Sequence, residues 1–260
     1  MKEIKLFVDF KFTSLSPDAQ PISLGIVSES FETDVPDDTI REFCNGELKL
    51  KNHKTLPDDW KMKDFHPSKS FYAEFSDFDI NRCDDWVKEN VVSKLKGVRN
   101  GEFKCYIENG FEPPSSSTVD VLIPELRQWL SQFSDYQITF VVDCGTWDWY
   151  RLVQLIGEWE DKIIYNSITI KSNGQKQIDY SVRPFVVKVG LPILPNNISP
   201  VPFELNQLIA HKNGISVKEA FDLDREDEVT VAGVEYEKSN KHNALWDAKV
   251  MKAIYEKLMA

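Results

Sequence analysis

The chain has 260 residues, 42% of them hydrophobic, which is enough length and apolar content for a sizeable core and excludes a largely disordered protein. Lys and Arg number 31 against 42 Asp and Glu, a formal charge of −11. That balance excludes a sequence-blind DNA-coating protein, which needs a broadly positive surface, but not an enzyme with a local basic groove or with carboxylates gathered around metal ions.

The first segment, MKEIKLFVDF, is interrupted by Lys2, Glu3, Lys5 and Asp9, so it predicts a strand rather than a signal peptide. Strands are expected over 3–12 and 21–29, joined by the turn-like SLSPDAQP, with a third over 69–76. The charged stretch 32–68, with Pro36, Pro57 and Pro67, reads as an inserted excursion. CDDWVKENVVSKL has helical spacing over 83–95, placing Trp86, Val87, Val91 and Leu95 on one face. A polar loop at 96–117 precedes a helix over 119–133 and a buried strand over 137–143. The next helix, 146–159, is followed by a hairpin across 162–182, marked by Asn173-Gly174. After a Pro-rich crossing come short helices near 203–212 and 216–222, then a final helix over 243–258. No repeat or linker interrupts the chain, so a single α/β domain spanning 1–260 is expected, with insertions near 32–68, 97–118 and 162–182. No apolar run reaches membrane-spanning length, and Cys44, Cys83, Cys105 and Cys144 form no CxxC pair. A cytoplasmic protein with reduced thiols and no membrane partner is the expectation.

Three aspartates occupy unusual places. Alternation in the first strand puts Ile4, Leu6, Val8, Phe10 and Phe12 on one face, and Lys5, Phe7, Asp9 and Lys11 on the other. Asp9 and Lys11 are therefore neighbours, on the order of 7 Å apart along the strand. In the helix 146–159, the stripe of Leu152, Leu155, Ile156 and Trp159 runs back to Asp148. In the last helix, Met251, Ile254 and Leu258 run back to Asp247. One such aspartate favours a helix N-terminus electrostatically. Two, alongside a strand aspartate, point to an acidic metal-binding cluster, because a carboxylate on an apolar stripe is costly unless paired or coordinating. His242 lies five residues before Asp247, about 140° around a helix, so the two do not share a face. Asn243 is a favoured N-cap, which leaves His242 on the preceding loop.

Asp9 in VDFKFTSL, Asp148 in CGTWDWYRLVQLIG, and His242 with Asp247 in HNALWD resemble the three exonuclease motifs of the DEDDh 3′-to-5′ exonucleases. The likeness is nearest to the small bacterial and phage 3′-to-5′ exoribonucleases, through PISLGIVSE (21–29), FYAEFSD (71–77), PNNISP (195–200) and HNALWDAK (242–249). The resemblance implies a ribonuclease-H-like mixed sheet flanked by helices. It also implies hydrolysis of phosphodiester bonds at the 3′ ends of single-stranded RNA or RNA overhangs. By the same likeness, two Mg²⁺ or Mn²⁺ ions would be held by carboxylates, with Asp9, Asp148 and Asp247 as ligands and His242 as general base. Phe12, Thr13 and Leu15 would contact the terminal nucleotide, and a homodimer is implied.

One departure is decisive. The family's first motif is Asp-x-Glu, whereas this chain has Asp9-Phe10-Lys11. An ammonium can donate hydrogen bonds but cannot ligate a cation. Lys11 is therefore expected to pair with Asp9, weaken two-metal binding and strongly reduce hydrolysis. The alternatives are a catalytically inactive nuclease-fold protein that binds nucleic acid or a partner, and a 3′-to-5′ DNA exonuclease. Asp143 competes with Asp148 for the second motif, and Asp148 is favoured by its helix face. Glu74 is a weaker substitute for the missing acid. Lys94, Lys96, Arg99, Lys104 and Arg151 are candidate basic contacts. Trp147, Trp149, Tyr150 and Trp246 flank the motif positions and divide between base stacking and core packing.

Overall fold

A computed structural model describes residues 2–31, 35, 39–44, 47–50, 67–95, 118–164, 168–170, 176–178, 185–225 and 240–260. The strands are β1 (Lys2–Phe12), β2 (Pro21–Ser28), β3 (Ile40–Cys44), β4 (Glu47–Leu50), β5 (Ser70–Glu74), β6 (Tyr136–Val142), β7 (Glu158–Ile164), β8 (Ile168–Ile170), β9 (Lys176–Ile178), β10 (Phe185–Ile193) and β11 (Phe203–Glu204). The helices are α1 (Asp85–Asn90), α2 (Thr118–Ser131), α3 (Asp148–Ile156), α4 (Leu205–Asn213), α5 (Val217–Asp222) and α6 (Ala244–Met259).

A mixed sheet of seven strands in the order β11-β6-β1-β2-β5-β3-β4 forms the centre. β1 pairs antiparallel with β2 and parallel with β6, and β2 pairs antiparallel with β5. The period-2 pattern of β1 decides which layer lies on which face. Ile4, Leu6, Val8 and Phe10 bury against Leu126, Trp129 and Phe133 of the α2 region and Leu152 and Ile156 of α3. On the opposite face Phe7 packs with Leu205 and Ile209 of α4, Ala220 of α5, and Met251, Ile254 and Tyr255 of α6. Helices thus cover both faces, and the alternation expected for β1 holds.

The helix ends follow from local chemistry. Asn243 caps α6 by accepting from the Leu245 and Trp246 amides. Ser216 and Glu219 form a capping box at α5. Gly214 ends α4 in the left-handed region, φ 65°, where a side chain would be strained.

Several expectations need correction. Part of the 32–68 excursion belongs to the sheet, because β3 runs parallel to β5 and β4 pairs with β3. The helix expected over 83–95 is broken into α1 and a short 3₁₀ turn at Val92–Lys94. Val87, Val91 and Leu95 are buried there, but Trp86 is exposed and off the apolar face. The helix expected over 146–159 ends at Ile156, and Trp159 lies in β7 instead. Gly157 marks the break, pressed close to Pro192. β7 pairs with β10, and the short hairpin of the 162–182 region is β8 with β9. Asn173 and Gly174 lie outside the described residues. Among the described residues no helix is long and apolar enough to cross a membrane.

Candidate active site

β6 ends at Val142, but β1 runs on to Phe12, beyond the last β6 rung at Phe7. In that extension the Phe10 amide donates to Asp148 Oδ1 at 3.1 Å. The N-terminus of α3 is thereby fastened to the end of β1, and Asp148 lies within electrostatic reach of Asp9. Asp148 is buried with Leu152, Leu155 and Ile156, the face that the sequence pattern assigned to it.

Asp9 and Lys11 point to the α6 side of the sheet. Across the strands Asp9 is level with Gly25, and Gly25 with Tyr72; Lys11 is level with Ser23, and Ser23 with Glu74. A Cβ at Gly25 would stand 2.4 Å from the Ala244 carbonyl and the Leu245 nitrogen. Only glycine lets the first turn of α6 sit this low on the sheet, and that depth brings Asp247 to Lys11. Lys11 Nζ lies 2.9 Å from Asp9 Oδ2 and 2.6 Å from Asp247 Oδ2. The side chains of Asp9, Lys11 and Asp247 are 9%, 16% and 21% exposed, so this is an enclosed ion triad rather than a solvent-facing pair.

The electrostatics follow from enclosure. Burial opposes the Lys11 charge, but the Asp247 and Asp9 carboxylates outweigh it and hold the ammonium far above its ordinary range. Burial pushes Asp9 upward against the pull of Lys11. Burial likewise pushes Asp148 up, reinforced by the charges of Asp9 and Asp143. Cys144 is driven up to about 11 by burial and by Asp148 and Asp143, so its thiol is no nucleophile at neutral pH.

The triad edges a cleft of about 400 Å³ whose walls include Asp9, Lys11, Asp143, Arg225, His242 and Asp247. Asp143 stands at the end of β6, where its carboxylate accepts from Arg225 Nη2 at 3.3 Å. The Arg225 guanidinium also reaches Asn206 Oδ1 at 2.7 Å, and Asn206 in turn donates to the Asp143 carbonyl. Asp143 is thus tied into the cleft wall, whereas Asp148 is the one fastened to β1 beside Asp9. His242 takes a left-handed backbone, φ 68°, just before the N-cap of α6. Its ring meets Trp86 edge to face, centroids 5.0 Å apart.

The other expected contacts are scattered around this centre. Phe12 packs between Phe10 and Trp147, with centroids 5.7 and 6.1 Å away. Thr13 is fully buried and its hydroxyl accepts from the Gln20 amide. Leu15 stands 81% exposed on the following loop. Trp149 and Trp246 pack against the two main cores, while Tyr150 is exposed. Arg151 is spent on the carbonyls of Ala19 and Pro17. Lys94 lies in the 3₁₀ turn, and Lys96, Arg99 and Lys104 fall outside the described residues. Glu74 is buried and accepts from the Tyr72 hydroxyl at 2.8 Å, two strands away from Lys11. Sequence reasoning missed Arg225, Asn206, Tyr72 and the position of Trp86. Only Tyr72 carried a usable signal, its alternation with Glu74 on β5.

Two divalent ions do not fit the donor set as it stands. The Lys11 ammonium, which cannot itself ligate a cation, binds two of the carboxylates a cation would need. Among the described residues no three His, Cys, Asp or Glu side chains are grouped so as to hold a metal ion. No protein-family model and no curated protein matches the chain.

Proposed function

We propose that the chain is a 3′-to-5′ exonuclease of the DEDDh type, directed to RNA 3′ ends, whose metal-dependent hydrolysis is strongly reduced by Lys11. The observation that carries this reading is convergence. Asp9 and Asp247, from β1 and α6, meet on Lys11; His242, from the loop before α6, lines the same cleft, and Asp148 of α3 is fastened to β1 within electrostatic reach of Asp9. Enclosed carboxylates from residues so distant in sequence gather at one place when a site, rather than surface solvation, requires it. The strand order supports the ribonuclease-H-like part of the reading: β1, β2 and β5 form an antiparallel meander, and β6 and β11 continue the sheet in parallel on the other side of β1. The preference for RNA, the choice of Mg²⁺ or Mn²⁺ and the homodimer rest on the motif resemblance alone, and the cytoplasmic location on the cysteine usage.

A second reading, a nuclease-fold protein that holds a nucleic-acid 3′ end without cutting it, is favoured by the two short contacts of Lys11. They neutralise locally what metal ions would otherwise neutralise. Both readings are tested by assaying the chain and its Lys11→Glu form on matched 3′-labelled RNA and DNA with Mg²⁺ or Mn²⁺. Stepwise 3′ shortening by Lys11→Glu, absent or far slower in the parent chain, supports the exonuclease reading. Binding of 3′ ends by both forms with cutting by neither supports the second. Neither binding nor cutting overturns both.

A further inference from the structure

His242 is held by its surroundings in a way the triad does not explain. Its φ of 68° lies where a residue with a Cβ is strained, so the structure around it must impose the conformation. The next residue, Asn243, uses its side chain twice. Oδ1 accepts from the Leu245 and Trp246 amides, and Nδ2 donates to the Tyr72 hydroxyl at 3.1 Å. The Tyr72 hydroxyl donates onward to Glu74 Oε1 at 2.8 Å. Tyr72 is fully buried and Glu74 nearly so, and both belong to β5, two strands from β1. Tyr72 sits on the rung of Asp9 and Gly25, the rung on which the first turn of α6 rests. Asn243 therefore cannot turn without breaking either its cap or this buried chain.

We infer that Tyr72, backed by Glu74, is a positioning residue: through Asn243 it sets the left-handed turn that aims His242 into the cleft. Trp86 braces the ring from the solvent side. The chemistry explains the residue types. A tyrosine hydroxyl can accept from the amide and donate to the carboxylate at once, and the glutamate fixes the direction of that donation. Phenylalanine at 72 keeps the packing but removes both the acceptor of the Asn243 amide and the donor to Glu74. The inference rests on the reading of His242 as the general base for its consequence in activity, but its structural content stands on contacts alone.

The test breaks one link from each side. Tyr72→Phe removes the hydroxyl. Asn243→Ser keeps an N-cap of comparable strength but is too short to reach Tyr72. In the chain with Lys11 in place, the imidazole NMR signal of His242, assigned with His242→Gln, should broaden and lose its Trp86 ring-current shift in both variants. The double variant should look like either single one, the mark of one shared interaction. In the Lys11→Glu background each variant should lower kcat roughly tenfold with KM within about twofold, because a misplaced base slows chemistry rather than binding. An unchanged His242 signal in both single variants, or effects that simply add in the double, overturns the inference. Should Tyr72→Phe fail to fold, Asn243→Ser alone decides by the same signal. Should the Lys11→Glu form be inert, the exonuclease reading falls, while the His242 signal still decides this inference.

Discussion

Lys11 and Asp247 meet at 2.6 Å although they lie 236 positions apart, one near the end of the first strand and the other in the first turn of the last helix. With Asp9 on its other side, Lys11 is a cation built into the chain at the centre of an acidic site. Two consequences follow. The charge is fixed at any physiological pH, since both carboxylates stabilise the ammonium. Its loss also exposes carboxylates that cannot be solvated in place.

Lys11→Glu turns this contact from attraction to repulsion. Without divalent ions it should destabilise the fold by roughly 3 kcal/mol, a fall in Tm of about 9 °C at about 3 °C per kcal/mol for a chain of this size. Mn²⁺ at a hundred times its Kd should return about 2.7 kcal/mol. Thermal melts in chelator and in Mn²⁺ check this. Asp148→Ala or Asp247→Ala in the same background should abolish the recovery.

Lys11→Met separates charge from ligation. It removes the ammonium but supplies no carboxylate, so it should lose a similar ~3 kcal/mol. It should show no gain of 3′ trimming in Mg²⁺. Trimming by Lys11→Met at the rate of Lys11→Glu would mean that Lys11 only blocks the site and that Glu is not needed as a ligand.

Asp148→Asn should stabilise the chain at neutral pH. Burial and the charges of Asp9 and Asp143 raise the folded-state pKa of Asp148 above its ordinary 3.8, so the folded state binds this proton more tightly than the unfolded one. Stability is then lost as pH rises from about 4 through the raised pKa, and the full cost is present above it. Asparagine keeps an acceptor for the Phe10 amide and carries no charge. Its gain in Tm should be largest at pH 7 and vanish near pH 4, at about 3 °C for each kcal/mol relieved. Denaturation midpoints across that range provide the measurement. A gain independent of pH would assign the effect to packing.

Gly25→Ala tests how α6 is seated. The new methyl would meet the backbone of Ala244 and Leu245, which cannot give way as a side chain can. The helix must lift, at a cost of about 1–3 kcal/mol, and Asp247 must withdraw from Lys11. The urea midpoint should fall. Proteolysis near residue 240 should speed up, because the N-terminus of α6 is no longer held down.

Much of this arrangement was legible in one dimension because it depends on periodicity. The two-residue period of β1 set which of its side chains face α3 and which face α6. The apolar stripes behind Asp148 and Asp247 marked both as helix-leading acids, and Asn243 marked the start of α6. The oppositely charged pair at 9 and 11 was likewise visible, since residues two apart share a strand face. Local spacing is all that such features need.

Other parts required the folded chain. No pattern in 40–50 revealed that β3 and β4 extend the sheet, because edge pairing depends on partners distant in sequence. The break of α3 at Gly157 was hidden inside a continuous apolar stripe. Tyr72, Asn206 and Arg225 acquire their roles only when β5, α4 and the end of α5 are brought alongside β1, β6 and α6. Sequence determined which side chains share a face and where the acids begin their helices. Tertiary structure alone decided that Asp247 joins Asp9 on Lys11, because that contact depends on how deeply α6 settles over Gly25.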